Sequence, residues 1–402
     1  MKRRLSCLAC SSDRVRPVLS IGRMPVLCNL LSTSAEAALA APVAPIELVF
    51  CEECGHVGNS AFEAGLIEYG PDYENSLHFS ARFQSYMHEL VDELGARHRL
   101  AERTVVEVGC GSGDFLRDLC ATTGSEGFGF DPSLREAVVE RPAGRGQGAS
   151  MGRLHLSSES IFEAPSPPDP RLLCCRHVLE HVERPVDFLA ALGDRLSTSE
   201  QVALYLEVPN ALYTLRDLGI WDVIYEHPSY FTPDSLRRCV AAAGFEQIEI
   251  RETFGGQFLG LHAKTCRARS KRSSGVGSAP LDPELASLVL DFAHVYETKL
   301  SYWNRVLGEV HESGRRVAVW GAGSKGSSFV NSVIEAARVE FVIDVNPAKQ
   351  GHFVTGSGHQ IVGPERLRAT PVDVIVLMNP LYESEVREQL DALGLDPRLV
   401  CA

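Results

Sequence analysis

Two separate stretches of this 402-residue chain read as a buried strand running into a glycine loop and then a helix, which commits the fold to α/β units. The first is Thr104-Val-Val-Glu107-Val-Gly109-Cys-Gly111-Ser-Gly113-Asp-Phe115. The second is Arg316-Val-Ala-Val-Trp320-Gly321-Ala-Gly323-Ser-Lys325-Gly326. Glycines at such spacing let the backbone turn sharply and lie close beneath a ligand. Each unit is followed by a strand that ends in a carboxylate: Asp131 after Gly127–Phe130, and Asp344 after Glu340–Ile343. In nucleotide-binding α/β sheets an acid at this place accepts hydrogen bonds from a ribose. At roughly 100–200 residues per domain, the chain has room for both units and for more besides.

Charge and composition narrow the class further. Hydrophobic residues make up 45% and charged residues 23%, the balance of an ordinary globular protein. The net charge of −13, from 39 basic and 52 acidic residues, disfavours nucleic acid as a partner. Met1-Lys-Arg-Arg4 leads almost at once to Cys7, without the apolar core of about 7–15 residues that a secretory signal needs. Ala35 to Phe50 is apolar but carries Glu36, Pro42, Pro45 and Glu47, short of the ~20 apolar residues of a membrane span. A cytoplasmic enzyme acting on a small molecule, with no membrane partner, is expected.

Twelve cysteines in a chain of this size do not read as a disulfide scaffold. Four of them form two pairs, Cys7-x-x-Cys10 and Cys51-x-x-Cys54. Two such pairs supply the four corners of a closed zinc tetrahedron, which has no open position for a substrate and is therefore structural. Cys28 or His56 could replace one ligand; reduced buried thiols and a redox pair are the bland alternatives. The division expected along the chain is a zinc-binding domain over 1–60, a central α/β domain over 61–270 and a second α/β domain over 271–402. A basic, then Ser/Gly-rich stretch from Lys264 to Ser278 reads as an exposed connector.

The two loops suggest different ligands. The first has Gly-x-Gly-x-Gly spacing, preceded by Glu107. An acidic residue there argues against a polyphosphate and suits a cationic ligand such as S-adenosylmethionine. This stretch resembles motif I of the class I methyltransferases, with Glu107, Gly109, Gly111, Gly113 and Asp131 as the cofactor-binding residues. His177, at the end of the strand from Arg171, is expected beside them. The second loop has the Gly-x-Gly-x-x-Gly spacing of a dinucleotide site, but only a short chain follows it, with two clear further segments at Val372–Met378 and Ser384–Leu393. A partial Rossmann-like unit is expected, in which Gly321, Gly323, Lys325, Gly326 and Asp344 hold substrate phosphates or remain as architecture.

Taken together, the cysteine-paired head, the central methyltransferase unit and the C-terminal Gly-Ala-Gly-x-Lys-Gly unit resemble the three-domain sugar C-methyltransferases. The stretch Trp221-Asp-Val-Ile-Tyr225-Glu226-His227-Pro-Ser-Tyr230-Phe231 is similar to the family's Tyr-His-Glu-His-x-Ser-Tyr-Phe motif, with one histidine fewer. The resemblance implies an α/β fold: a class I methyltransferase core, a small zinc-binding head and a C-terminal Rossmann-like domain. It also implies methyl transfer to the carbon next to a ketone of a nucleotide-linked keto-deoxysugar. His227 would remove the α proton, with Glu226 as its partner, and Tyr225 or Tyr73 would hydrogen-bond the enolate oxygen. A histidine with a pKa near working pH suits such a proton transfer. An O- or N-methyltransferase on the same scaffold, a nicotinamide-dependent oxidoreductase using residues 321–326 and a non-catalytic zinc-headed binding protein remain as alternatives.

Overall fold

The computed structural model describes residues 5–70, 72–134, 137–140, 152–196, 201–266 and 281–402. Most of the expected connector and the Met1–Arg4 start lie outside the described residues.

Three sheets organise the described chain. The N-terminal sheet is an antiparallel hairpin of Val15–Pro25 and Val43–Cys51, joined by Val57–Asn59 and then by the distant strand Ser229–Tyr230. The central sheet has eight strands. Its parallel part places Thr104–Val108 in the middle, with Glu126–Phe130 and Leu154–Ser157 on one side and Pro170–Arg176 and Ala203–Pro209 on the other. The hairpin Phe245–Thr253 and Phe258–Thr265 continues beyond Ala203–Pro209 in antiparallel fashion. This is the class I methyltransferase sheet.

The C-terminal sheet is parallel throughout and has five strands, more than the two further segments visible in the sequence. Val317–Trp320 is central, flanked by Val342–Ile343 and Ile361–Val362 on one side and by Val374–Leu377 and Arg398–Cys401 on the other. Numbered along the chain, its strands run 3-2-1-4-5, as do the five parallel strands of the central sheet. In such sheets ligands bind where the order reverses, at the carboxyl ends of the first and fourth strands. The fold therefore provides two switch points: the loops at Gly109 and His177 form one, and those at Gly321 and Met378 form the other.

Local chemistry explains why the loops close as they do. Thr104–Val108 is buried along its whole length, so an ionisable residue within it (Glu107) stands out. Gly109 has φ +73°, and a Cβ there would meet Val178 Cγ2 at 2.0 Å. In the second loop a Cβ on Gly326 would lie 1.8 Å from the Gly321 carbonyl oxygen. Only glycine allows that helix to start so near its strand.

The cores are not divided as the sheets are. Two apolar clusters lie on the faces of the central sheet. Another runs from the N-terminal hairpin (Ile46, Phe50) through Trp221 and Tyr225 and the long helix Pro283–Glu312 into the C-terminal sheet (Val317, Phe329). Residues 220–230 are consequently packed between the N- and C-terminal parts. Trp221 meets Phe329 at 4.9 Å between ring centroids, Tyr225 meets Phe62 at 5.5 Å, and Tyr230 closes the N-terminal sheet. Among the described residues no helix is long and apolar enough to cross a membrane.

Candidate active site

The four paired cysteines come together. Cys7 Sγ lies 3.6 Å from Cys54 Sγ, and Cys10 Sγ lies 3.6 Å from Cys51 Sγ. Thiolates at the corners of a tetrahedron with Zn–S bonds of about 2.3 Å would be about 3.8 Å apart, so the donor set fits structural zinc. Of the two candidate substitutes, His56 adjoins the cluster, with Nδ1 4.0 Å from Cys7 Sγ. Cys28 does not. It lies at the other end of the domain, in the loop after Pro25, and its amide and thiol both donate to Glu226 Oε1 at 2.6 and 2.9 Å.

One cleft of about 540 Å³ is lined from both switch points. On one side stand Glu107, Gly109, Gly111, Asp131 and His177; on the other stand Gly321, Gly323, Lys325, Gly326 and Asp344. Gly113 does not line it, although Ser112, Asp114 and Phe115 beside it do: the space where its Cβ would project is filled by Leu156. The two loops are braced alike. Asp131 Oδ2 accepts from the Gly111 amide at 2.7 Å, and Asp344 Oδ2 accepts from the Ala322 amide at 2.8 Å. Each acid thus holds its glycine loop in shape while bordering the cleft.

The first side fits S-adenosylmethionine. Gly111 has φ +53° and open space where a Cβ would project. Glu107 is buried, its Oε2 has no hydrogen-bond partner, and Arg176 stands 3.9 Å from Oε1. Burial outweighs Arg176 and pushes the carboxyl up to about 8. His177 behaves in the opposite sense. Burial opposes its charge, yet hydrogen bonds to Glu180 and Glu207 outweigh burial and hold the imidazolium up to about 9. A cation placed beside Glu107 favours the ionised carboxylate. Binding S-adenosylmethionine at pH 7 is therefore expected to release roughly one proton from Glu107. Affinity should rise about tenfold per pH unit on approach to pH 8 and level off above it. Calorimetry in buffers of different ionisation enthalpy measures this release. Glu107→Gln should abolish it, whereas unchanged release in that variant would assign the proton elsewhere.

The residues proposed for chemistry separate into three groups. His227 and Tyr73 line the cleft. Tyr225 does not: its hydroxyl accepts from the Glu63 amide at 2.9 Å, within the core shared with the N-terminal sheet. The expectation that Tyr225 serves an enolate oxygen is corrected on that ground. Glu226 is the third case. Its carboxylate accepts from Cys28, from Tyr73 Oη at 2.5 Å and from Tyr69 Oη at 3.5 Å, rather than from His227. Tyr225 and Glu226 form a turn, which sends Glu226 and His227 toward different walls. Glu226 therefore orients Tyr73, and the ring beside His227 is that of His181, at 4.7 Å between centroids.

His227 is held as a neutral imidazole: burial, reinforced by His181, His177 and Lys325, lowers its pKa well below the ordinary value. Burial, with Glu226 alongside, raises the Tyr73 phenol well above its ordinary value and keeps it a donor. The cleft accordingly offers one uncharged ring nitrogen and one fixed hydroxyl.

Sequence reasoning passed over several residues at this site. His181 and Tyr69 hydrogen-bond each other at 2.8 Å. Asn29, from the N-terminal part, accepts from Lys349 Nζ at 3.0 Å and donates to Ser324 Oγ at 3.3 Å. Lys325 is paired with Asp222. The available signals were the four-residue spacing from His177 to His181, and the reach of the apolar Met24–Asn29 loop.

Comparison with known families agrees with this geometry. Residues 7–64 match a zinc binding domain, residues 79–250 a methyltransferase domain, and residues 286–396 the C-methyltransferase C-terminal domain. The chain belongs to the three-domain C-methyltransferases. This C-methyltransferase is thus an S-adenosylmethionine-dependent enzyme with a structural zinc site. Among curated proteins none matches it in sequence. Of solved structures, magnesium protoporphyrin IX methyltransferase from Synechocystis with bound SAH is 18% identical, with a TM-score of 0.34 over 46% of this chain and 84% of its own. A SAM-dependent methyltransferase from Archaeoglobus fulgidus is 18% identical, with a TM-score of 0.33 over 47% and 98%.

Proposed function

We propose that this C-methyltransferase methylates the carbon next to a ketone in a nucleotide-linked keto-deoxysugar. The observation that carries the reading is the single cleft bordered by two glycine loops, each with its acid, together with His227 and Tyr73. One loop serves the methyl donor. The other, with Lys325 beside the start of the helix Ser324–Ser332, suits the diphosphate of a nucleotide, because helix N-termini and an ammonium group both favour anions. The Lys325–Asp222 pair would then exchange for a phosphate contact.

The chemistry required of the protein is modest. S-adenosylmethionine, when bound, supplies an electrophilic methyl group. His227, uncharged and facing the cleft, accepts the α proton at a ring nitrogen. Tyr73, whose hydroxyl proton Glu226 accepts, would turn that proton from the carboxylate to the oxygen on which charge develops.

Titration with S-adenosylhomocysteine, thymidine diphosphate and NADH tests the reading. The first two should bind and NADH should not. Asp131→Ala should weaken the homocysteine product, while Lys325→Ala should weaken the diphosphate about tenfold, the loss of roughly one charge-assisted contact. Binding of NADH alone would move the active site to residues 321–326 and overturn the reading.

A further inference from the structure

The cleft holds a cluster that the proposed reaction does not account for. Glu180, His181 and His227 each place one potential ligand atom within 4.8 Å of the other two. All three border the cleft. Glu180 and His181 lie on the short turn Leu179–His181 after the strand Pro170–Arg176, and His227 faces them from the loop before Ser229.

We infer that these three side chains form a second divalent-cation site, separate from the cysteine cluster and open to the cleft. Three independent observations support it. The His181 Nδ1 atom lies 3.0 Å from the Glu226 carbonyl oxygen, which can only accept, and 2.8 Å from the Tyr69 hydroxyl, which can donate instead to Glu226 Oε2; this setting favours the proton on Nδ1 and leaves the Nε2 lone pair free. Metal-bound histidines are oriented in this way, by a carbonyl on the far nitrogen. Glu180 is 2% exposed, and its Oε2 is buried without any hydrogen-bond partner. Finally, among the described residues no hydrogen bond occupies either ring nitrogen of His227.

Two imidazoles and one carboxylate select borderline cations such as Zn²⁺, Co²⁺ or Ni²⁺ over Mg²⁺ and Ca²⁺, which prefer oxygen. Three protein ligands leave at least one coordination position free for a water or a substrate oxygen. The consequence for activity rests on the function proposed above. A cation on His227 takes the lone pair that would accept the substrate proton, so the loaded site is the inhibited form.

Cobalt titration of the zinc-loaded full-length protein tests the site. One further equivalent of Co²⁺ should bind and give visible ligand-field bands without the intense near-ultraviolet absorption of cobalt–thiolate coordination. Glu180→Gln and His181→Gln should each weaken that binding at least about tenfold, with parent-like circular dichroism and cooperative melting showing that the variants are folded. Absence of such bands at saturating Co²⁺, or equal affinity in both folded variants, would overturn the site. Methyl transfer measured with the cation bound separates the two ideas. Suppressed transfer agrees with His227 as base, whereas full transfer with cobalt on the site would remove His227 from that role and leave the cation site standing.

Discussion

His227→Ala is expected to lower methyl transfer by about two to four orders of magnitude, the range in which positioned general bases act. Donor binding should stay within a few-fold of the parent, because the residues around Gly109 and Asp131 are carried by a different sheet from the loop that holds His227. A turnover assay at saturating S-adenosylmethionine reads the effect directly. The neutral state of His227 has a second consequence. Its pKa is lowered by burial and by the neighbouring His181, His177 and Lys325, so the base remains unprotonated through neutral pH. Loss of activity as pH falls should therefore set in below the range of an ordinary histidine. Tyr73→Phe, which removes the oriented donor, should cost about 10²- to 10³-fold, as for a single oxyanion-stabilising group. Undiminished transfer in His227→Ala would assign the proton to another residue.

Removal of zinc should cost nearly as much by a wholly different route. Apparent binding energies of structural zinc are about 10–16 kcal/mol, comparable to the whole stability of a domain. Cys51→Ser leaves three thiolates, and the hairpin Val15–Pro25 with Val43–Cys51 loses the tie that joins its ends to Cys7 and Cys10. The damage then travels into the cleft through named contacts. Cys28 leaves Glu226, so Tyr73 loses its orientation, and Asn29 leaves Lys349 and Ser324. Donor binding should largely survive, because the central sheet keeps its own apolar clusters. The expected pattern is loss of metal content, loss of turnover and retained S-adenosylhomocysteine affinity. Full turnover in metal-free Cys51→Ser would contradict it.

What could be read from the sequence follows from how local each signal is. Each glycine loop and each cysteine pair is defined by spacings of a few residues, and each acid by the end of the next strand; the structure brings each acid to its loop and the two cysteine pairs to each other. The strand order of the C-terminal sheet could not be read. Val342–Ile343 was legible as the strand before Asp344, but Ile361–Val362 is too short to show any periodicity, and only pairing with Val342–Ile343 makes it a strand. The roles within residues 225–227 were equally hidden. Three adjacent side chains meet three different environments there: Tyr225 enters the shared core, Glu226 meets Tyr73 and Cys28, and His227 faces the cleft. Those partners lie far away in sequence, Cys28 by 198 positions and Tyr73 by 153. Glu107 is the converse case, since a carboxylate inside a run of β-branched residues signals its own function.

The central claim is enolate chemistry, and it is tested most directly by incubating the enzyme with a thymidine diphosphate-linked keto-deoxysugar and S-adenosylhomocysteine in deuterated water. With methyl transfer blocked, deuterium should appear on the carbon next to the ketone in the parent enzyme and not in His227→Ala. The account would be contradicted by no exchange in the parent, coupled with a product methylated on oxygen or nitrogen once S-adenosylmethionine is supplied.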